Sequence, residues 1–346
     1  MAQPGRHPYL EGMADISILD LVRVTDATDA RAALDNARDL AGHAEGWGYR
    51  RFWVAEHHNM PGIASAATSV VLAHIAAGTS TIRIGAGGIM LPNHAPIVVA
   101  EQFGTLATLF PGRIDLGLGR APGTDQLTVR ALRRSLTDPD DFPQDVLELQ
   151  AYFAPVQPGQ RVQAVPAAGT RVPLWILGSS TYGAQVAAEF GLPYAFASHF
   201  APDQLMQALA IYRARFKPSA QLARPHAMIG VNIIAADSDD RARRLATTQQ
   251  MSFANLLRGT RGLSQRPIDD IDTYWSPAEK AQASSMLARS IIGSPATVTA
   301  GIAALLAETA ADELMIVSDI YDHHDRLRSF QLIAEAATVT RARLVA

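Results

Sequence analysis

Residues able to move protons, hold an anion or seat a flat ligand fall at a few places in this chain, each just after an apolar run. The first is Glu56-His57-His58. Histidine exchanges its proton near neutral pH, so histidine beside a carboxylate suits proton transfer or contact with a cofactor. Two histidines with a Glu also invite a metal. However, the i, i+4 helical spacing of HExxH is absent and adjacent residues make awkward ligands, so no metal is expected. Hydrogen-bonded structural histidines are the alternative. The second group is Gly178-Ser179-Ser180-Thr181, between a strand and a helix. Free backbone N–H groups and the dipole at a helix start attract an anion, and hydroxyls add donors. A plain helix N-cap is the competing account. Arg120, ending a neighbouring strand, favours a phosphate, because guanidinium pairs well with it. The third group is Gly85-Ala86-Gly87-Gly88, which opens no Rossmann fingerprint; GxxxxGK[ST] is also missing from the sequence. Gly87 and Gly88 instead let backbone approach a flat ligand or form a bulge. His94, followed by Ala-Pro, reads as part of a turn.

These groups need a scaffold that brings them together. Strands are predicted at Ile16–Val22, Arg51–His58, Ile82–Leu91, Ile114–Arg120, Pro173–Ser179, Tyr194–Phe200, Met228–Ala236 and Glu313–Asp319. The helices that follow them in turn are predicted near Asp29–Glu45, Thr68–Ala77, Ile97–Leu109, Asp125–Phe153, Ala184–Phe190, Pro202–Phe216, Asp239–Leu257 and Leu327–Ala342. Strand-then-helix repetition specifies a parallel sheet. Eight repeats favour closure into a (β/α)₈ TIM barrel over an open doubly wound sheet. Residues 1–346 read as one domain. In such a barrel the active groups gather at the C-terminal ends of the strands, which is where the polar and Gly-rich segments fall. An insertion at 258–292 separates the seventh and eighth strands and is expected over the mouth, where a lid and a plain surface excursion are both open readings. Barrels often bind phosphate after strands seven and eight. Here those loops read AADSDD and SDIYDHHD; they are acidic, so the anion is placed at strands four and five.

Composition narrows the classes. Hydrophobic residues make up 48% of 346 and charged residues 18%, a globular balance with ample core. The net charge of -3 gives no reason to expect nucleic acid or an anionic membrane as partner. Cysteine is absent, which excludes disulfides, thiolate catalysis and iron–sulfur clusters. The polar Met1–Gly12 segment has no run of signal-peptide length, and no apolar stretch is long enough to span a bilayer. The cytoplasm is the expected address.

The ordered set WVAEHHN, GGIMLPNHAP, DLGLGRAPGTDQ, LGSS, EFGLP and FASHF resembles the bacterial-luciferase-like flavin monooxygenases, from Ile16 to about Leu332. The resemblance implies a barrel binding reduced FMN at the strand ends. It implies His57 near the flavin with Glu56 beside it. Arg120 and the Gly178, Ser179, Ser180 and Thr181 segment would hold the phosphate, and Gly87-Gly88 would form a non-proline cis peptide at a bulge in strand three. Ser198, His199 and Met90 would line the substrate side, and Leu91 and Phe200 would help exclude water. Two departures stand out: Gly119 occupies the place of luciferase's reactive cysteine, and Ser198-His199 replaces a tryptophan. Light emission from an aldehyde is therefore not implied.

On this reading the chain takes reduced FMN from a separate flavin reductase and uses O₂ to oxygenate a small organic substrate, working as a homodimer. Deazaflavin-dependent hydride transfer on the same barrel, and flavin binding without turnover, are the alternatives.

Overall fold

The computed structural model describes residues 14–121, 125–134 and 141–345. The Met1–Gly12 segment, Pro122-Gly123-Thr124 of the DLGLGRAPGTDQ motif, and residues 135–140 of the predicted Asp125–Phe153 helix lie outside the described residues.

Side chains alternate across each strand, and here both sides are buried. In β1 (Asp15–Asp20), Ile16 and Ile18 join the outer core beneath the helices, while Leu19 belongs to a second apolar cluster with Trp53, Trp175, Met228, Met315 and Val317. That smaller cluster fills the inside of a ring. The other strands are β2 (Arg51–Val54), β3 (Arg83–Met90), β4 (Ile114–Gly119), β5 (Leu174–Gly178), β6 (Tyr194–Phe196), β7 (Ala227–Ala235), β8 (Ile291–Gly293) and β9 (Glu313–Val317). All pairings between them are parallel. The order β6-β5-β4-β3-β2-β1-β9-β7, closed by β6 on β7, is an eight-stranded barrel. The eight predicted strands are its eight staves.

β8 is an addition. It pairs with Ile233–Ala235 of β7, whereas Met228–Asn232 of β7 pair with β9. It thus lies outside the ring, and the sequence reading of eight strands becomes nine. Helix α10 (Pro295–Thr309) follows β8 and was likewise unforeseen. The other helices are α1 (Ala30–Gly46), α2 (Thr68–Ala76), α3 (Pro96–Leu109), α4 (Gln126–Ala131), α5 (Phe142–Phe153), α6 (Thr181–Phe190), α7 (Leu205–Arg215), α8 (Asp239–Leu257), α9 (Pro277–Met286) and α11 (His323–Val345). None among the described residues is long and apolar enough to cross a membrane.

Charge closes the N-terminal end of the barrel. Arg51 bonds Asp115 at 2.6 Å and Glu313 at 2.9 Å, with all three side chains almost wholly buried. Arg83 adds a 2.5 Å bond to Asp115, and His226 and Ser17 bond Glu313. At the opposite end, residues of the 258–292 insertion lie across the loops that follow several strands. Ser264 exchanges backbone hydrogen bonds with Val24 and Asp26 after β1, Arg266 bonds Tyr321 after β9, and Arg261 lies 3.8 Å from Asp125 before α4. These residues of the insertion thus pack on loops at the C-terminal end of the barrel.

Candidate active site

β2 stops at Val54, so Glu56, His57 and His58 lie in the loop and not on the predicted strand Arg51–His58. Glu56 N still reaches Gly88 O at 3.3 Å, after which the chain is free of strand alternation. The Glu56 carboxylate is 1% exposed and serves as a hub. It accepts from Met90 N at 2.9 Å, sits 2.7 Å from His58 Nε2 and 2.9 Å from His94 Nε2, and accepts from Asn93 Nδ2 at 3.3 Å. Burial would raise its pKa, but the bonds from His94, Met90 and His58 outweigh burial and bring it below the usual carboxylate value. The two histidines and Glu56 each offer one donor atom within 4.8 Å of the others. Because both imidazoles already bond the carboxylate, the cluster is in the first place a proton-sharing one. The sequence offers His58 within Glu56-His57-His58 and reads His94 as part of a turn; the structure brings both onto one carboxylate. Their signal was a histidine a few residues past the end of each of two adjacent strands, the second and the third.

His57 and His199 form the other part of the mouth. Burial, and then the nearby His57, hold His199 at a pKa of about 4, so it is neutral at physiological pH. Its Nδ1 is buried with no hydrogen-bond partner in the protein. The ring fits because β7 carries Gly230 there: a Cβ on that residue would stand 2.4 Å from His199 Nδ1. β6 ends at Phe196, short of the predicted Phe200, so Ser198 and His199 sit in a turn. That turn is pinned by Ser198 Oγ to Gly230 O at 2.6 Å and by Asn232 Nδ2 to His199 O at 2.5 Å. Of the expected water-excluding residues, Leu91 is fully buried, whereas Phe200 is 41% exposed and packs edge-on to His199.

Between these groups runs the glycine segment of β3. The Gly87-Gly88 peptide is cis, and the register against β4 slips between Ala86 and Ile89, a bulge of one residue. A Cβ on Gly87 would meet Leu19 at 2.7 Å, and one on Gly88 would meet Gly117 O at 2.8 Å. Only glycine passes at this point. Beyond it, the Met90 side chain lies against Gly119, whose Cβ would approach Met90 Sδ to 2.9 Å.

Arg120 leaves the end of β4 and lays its guanidinium over the Tyr182 ring, 4.2 Å from the centroid. Tyr182 belongs to the first turn of α6, directly after Gly178, Ser179 and Ser180. Arg120 thus stands against the first turn of the helix that the Gly-Ser-Ser-Thr segment opens. α6 begins at Thr181, earlier than the predicted Ala184. Ser180 is thus the N-cap by position, with its hydroxyl making no capping bond. Thr181 N is taken by Gln204 Oε1 at 3.2 Å.

The family model for luciferase-like monooxygenases matches residues 14–313. This chain belongs to the luciferase-like monooxygenase family. It is 54% identical to a luciferase-like monooxygenase of Escherichia coli K12 over 317 residues, 91% of this chain and 95% of that one. Among solved structures, apo-MsnO8 is similar at 35% identity and a TM-score of 0.87, covering 95% of this chain and 99% of that one. The oxygenating constituent of 3,6-diketocamphane monooxygenase from Pseudomonas putida, in complex with FMN, shares the fold at 17% identity and a TM-score of 0.72 over 95% and 98% of the two chains. An F420-dependent secondary alcohol dehydrogenase shares it at 14% identity and 0.67, over 94% and 99%. In this luciferase-like chain the family's barrel carries a carboxylate–histidine cluster, a glycine floor and an arginine at a helix start, all on one face.

Proposed function

We propose that this chain is an FMN-dependent monooxygenase that oxygenates a small organic substrate. The observation that carries the proposal is Arg120 at the first turn of α6. A guanidinium, first-turn amides and the Ser179 and Ser180 hydroxyls together match a phosphate tail. Gly87 and Gly88 pack too closely on Leu19, Trp53 and Gly117 to carry a side chain, and a bare backbone bulge is one that a flat ring can approach.

Reduced FMN, when bound, supplies two electrons to O₂; one oxygen atom goes to the substrate and the other leaves as water. The protein's part is to hold and to shield. Arg120 and the Ser179–Thr181 segment bind the phosphate, and Gly87 and Gly88 set the depth of the ring. His57 and neutral His199 face the reacting region and hold or pass a proton there. Glu56 is a positioning residue that fixes His58 and His94. Family membership and the FMN in the 3,6-diketocamphane relative support the choice of flavin. A flavin reductase as the source of reduced FMN, and a homodimer as the working form, belong to the same proposal.

Binding measured with FMN and with riboflavin tests it, because the two differ only in the phosphate. In Arg120→Ala, FMN affinity should fall by about 10- to 100-fold, the worth of a charge-assisted hydrogen bond, while riboflavin affinity holds. Equal losses for both ligands would remove the phosphate assignment. Reduced F420 run in parallel separates the hydride-transfer alternative: tight F420 binding with no FMN binding would overturn the proposal.

A further inference from the structure

A cavity of about 310 Å³ opens at the C-terminal ends of β1 and β9. In the ring this seam is four strands from the β4–β5 seam in either direction, so it lies across the mouth from Arg120. Its inner side is apolar, with Leu19, Leu21 and Val317. Leu19 also abuts the Gly87 position, so the apolar side leads toward the glycine floor. Its outer side, toward α1 and α11, is polar: Asp20, Arg23, Ser318, Asp319, His323 and Arg326. Arg266 of the insertion stands exposed at the rim.

The polar side is incompletely satisfied. Seven buried atoms on those six residues have no hydrogen-bond partner in the protein: Asp20 Oδ2, Arg23 Nε, Ser318 Oγ, both oxygens of Asp319, His323 Nδ1 and Arg326 Nε. Asp20, Ser318 and Asp319 are 1%, 5% and 4% exposed. Arg326 Nη2 reaches Asp20 Oδ1 at 2.7 Å, and Arg23 Nε stands 3.3 Å from Asp319 Oδ2 without hydrogen-bond alignment. Buried polar atoms without partners are costly, so this grouping calls for partners that the protein itself does not supply. The acidic SDIYDHHD segment argued against an anion at this end. In space, however, Arg23 and Arg266 come in from other segments and Arg326 follows directly, and the three match Asp20, Asp319 and Asp322 charge for charge.

A cavity with balanced charges and unmatched atoms of both signs selects a net-neutral ligand that carries both signs itself. Five of the seven unmatched atoms belong to carboxylates and guanidiniums, whose bonds to ionic groups are roughly twice as strong as neutral ones. That favours a zwitterion over a sugar or other polyol. We propose that this cavity binds the head of a zwitterionic substrate, an α-amino-acid-like amine and carboxylate, with the amine on Asp319 and Ser318 and the carboxylate on Arg23. The apolar tail would then pass Leu19 and Val317 into the mouth. This deepens the monooxygenase reading and rests on it for the fate of the tail, but not for the binding itself.

Calorimetry without flavin isolates the binding. The probes are norleucine, N-acetylnorleucine, norleucine methyl ester and hexanamide, which keep a similar tail and carry both charges, one charge or none. Norleucine should bind at least about tenfold more tightly than each of the others, one charged hydrogen bond's worth. Asp319→Asn should erase the advantage of norleucine over N-acetylnorleucine. Ser318→Ala removes a hydroxyl with no protein partner, so it should weaken norleucine while melting like wild type. Hexanamide binding as tightly as norleucine, no norleucine binding at millimolar concentration, or norleucine affinity unchanged in a folded Ser318→Ala and Asp319→Asn pair would overturn the proposal. FMN titration of the same variants should match wild type. Failure of FMN binding in the wild-type protein would count against the flavin reading and leave the cavity result intact.

Discussion

A carboxylate that is 1% exposed and held by two imidazoles, an amide and a backbone N–H has little freedom left, and this makes Glu56 the residue most worth changing. Glu56→Gln keeps the shape but brings an NH₂ against groups that donate. Turnover should drop by about 10²-fold, the lower range for losing a positioned proton-handling group, while FMN affinity measured by fluorescence stays near wild type. A parallel loss of FMN binding would make Glu56 part of the cofactor site instead. His199 predicts a pH effect. Its folded pKa of about 4 lies below the ordinary 6.5, because burial and His57 oppose its charge. As pH falls from 6.5 toward 4 the unfolded chain takes up a proton that the folded one refuses, so stability declines across that window. In His199→Phe the gap in urea stability between pH 7 and pH 5 should narrow; an unchanged gap would place the effect elsewhere. The sequence showed the EHH segment and His199 but not their partners. His94 is separated from Glu56 by 38 residues, and only the lateral pairing of β2 with β3 makes them neighbours.

Strands that alternate cleanly with amphipathic helices were legible, and all eight staves lie where the apolar runs are. What escaped was small or uniform. β8 is three residues long, too short to display a period of two. α10 is Ala-rich and apolar on most sides, and it packs so closely on β8 that a Cβ at Gly301 would stand 2.7 Å from Ile291. Strand ends were overextended at Glu56–His58 and Ser198–Phe200, because apolar or aromatic neighbours continue the pattern after the hydrogen bonds stop. The insertion is an element whose attachment can be tested. Gly62 lies beneath it, and a Cβ there would stand 2.2 Å from the backbone oxygen of Gly262. Gly62→Ala should therefore lift the 260–264 segment, giving faster limited proteolysis there and a stability loss of about 1 to 3 kcal/mol. A proteolysis rate equal to wild type would show that the two loops separate without strain.

For the molecule as a whole, the charge cluster at the N-terminal end is the plug of the barrel. Burial alone would raise the pKa of Glu313, but Arg51, His226 and Ser17 bring it to about 2. A carboxylate depressed in this way stabilises the fold fully above its unfolded value near 4.5, and the contribution is lost as pH falls from there through 2. Acid unfolding should thus steepen below pH 4.5, and Glu313→Gln should flatten that limb in a circular-dichroism titration. Arg51→Met leaves Asp115 and Glu313 buried without their shared cation and should cost about 3 to 5 kcal/mol at pH 7. Loss of less than about 1 kcal/mol, the range of surface pairs, would mean that Arg83 and His226 suffice. The candidate site lies at the far end from this plug, so these variants should unfold sooner without altering the affinity for FMN proposed above at temperatures where they are folded.

β7 changes partner partway along: Met228–Asn232 bind a stave, and Ile233–Ala235 bind β8. Like a zip with a branching tape, it joins two seams that can part separately. Movement of α10 would reach the top of β7, where Ala235 N is also held by Ser329 Oγ at 2.9 Å, and stop there. The rim beside the mouth can loosen on that side while the circle of eight below it remains laced.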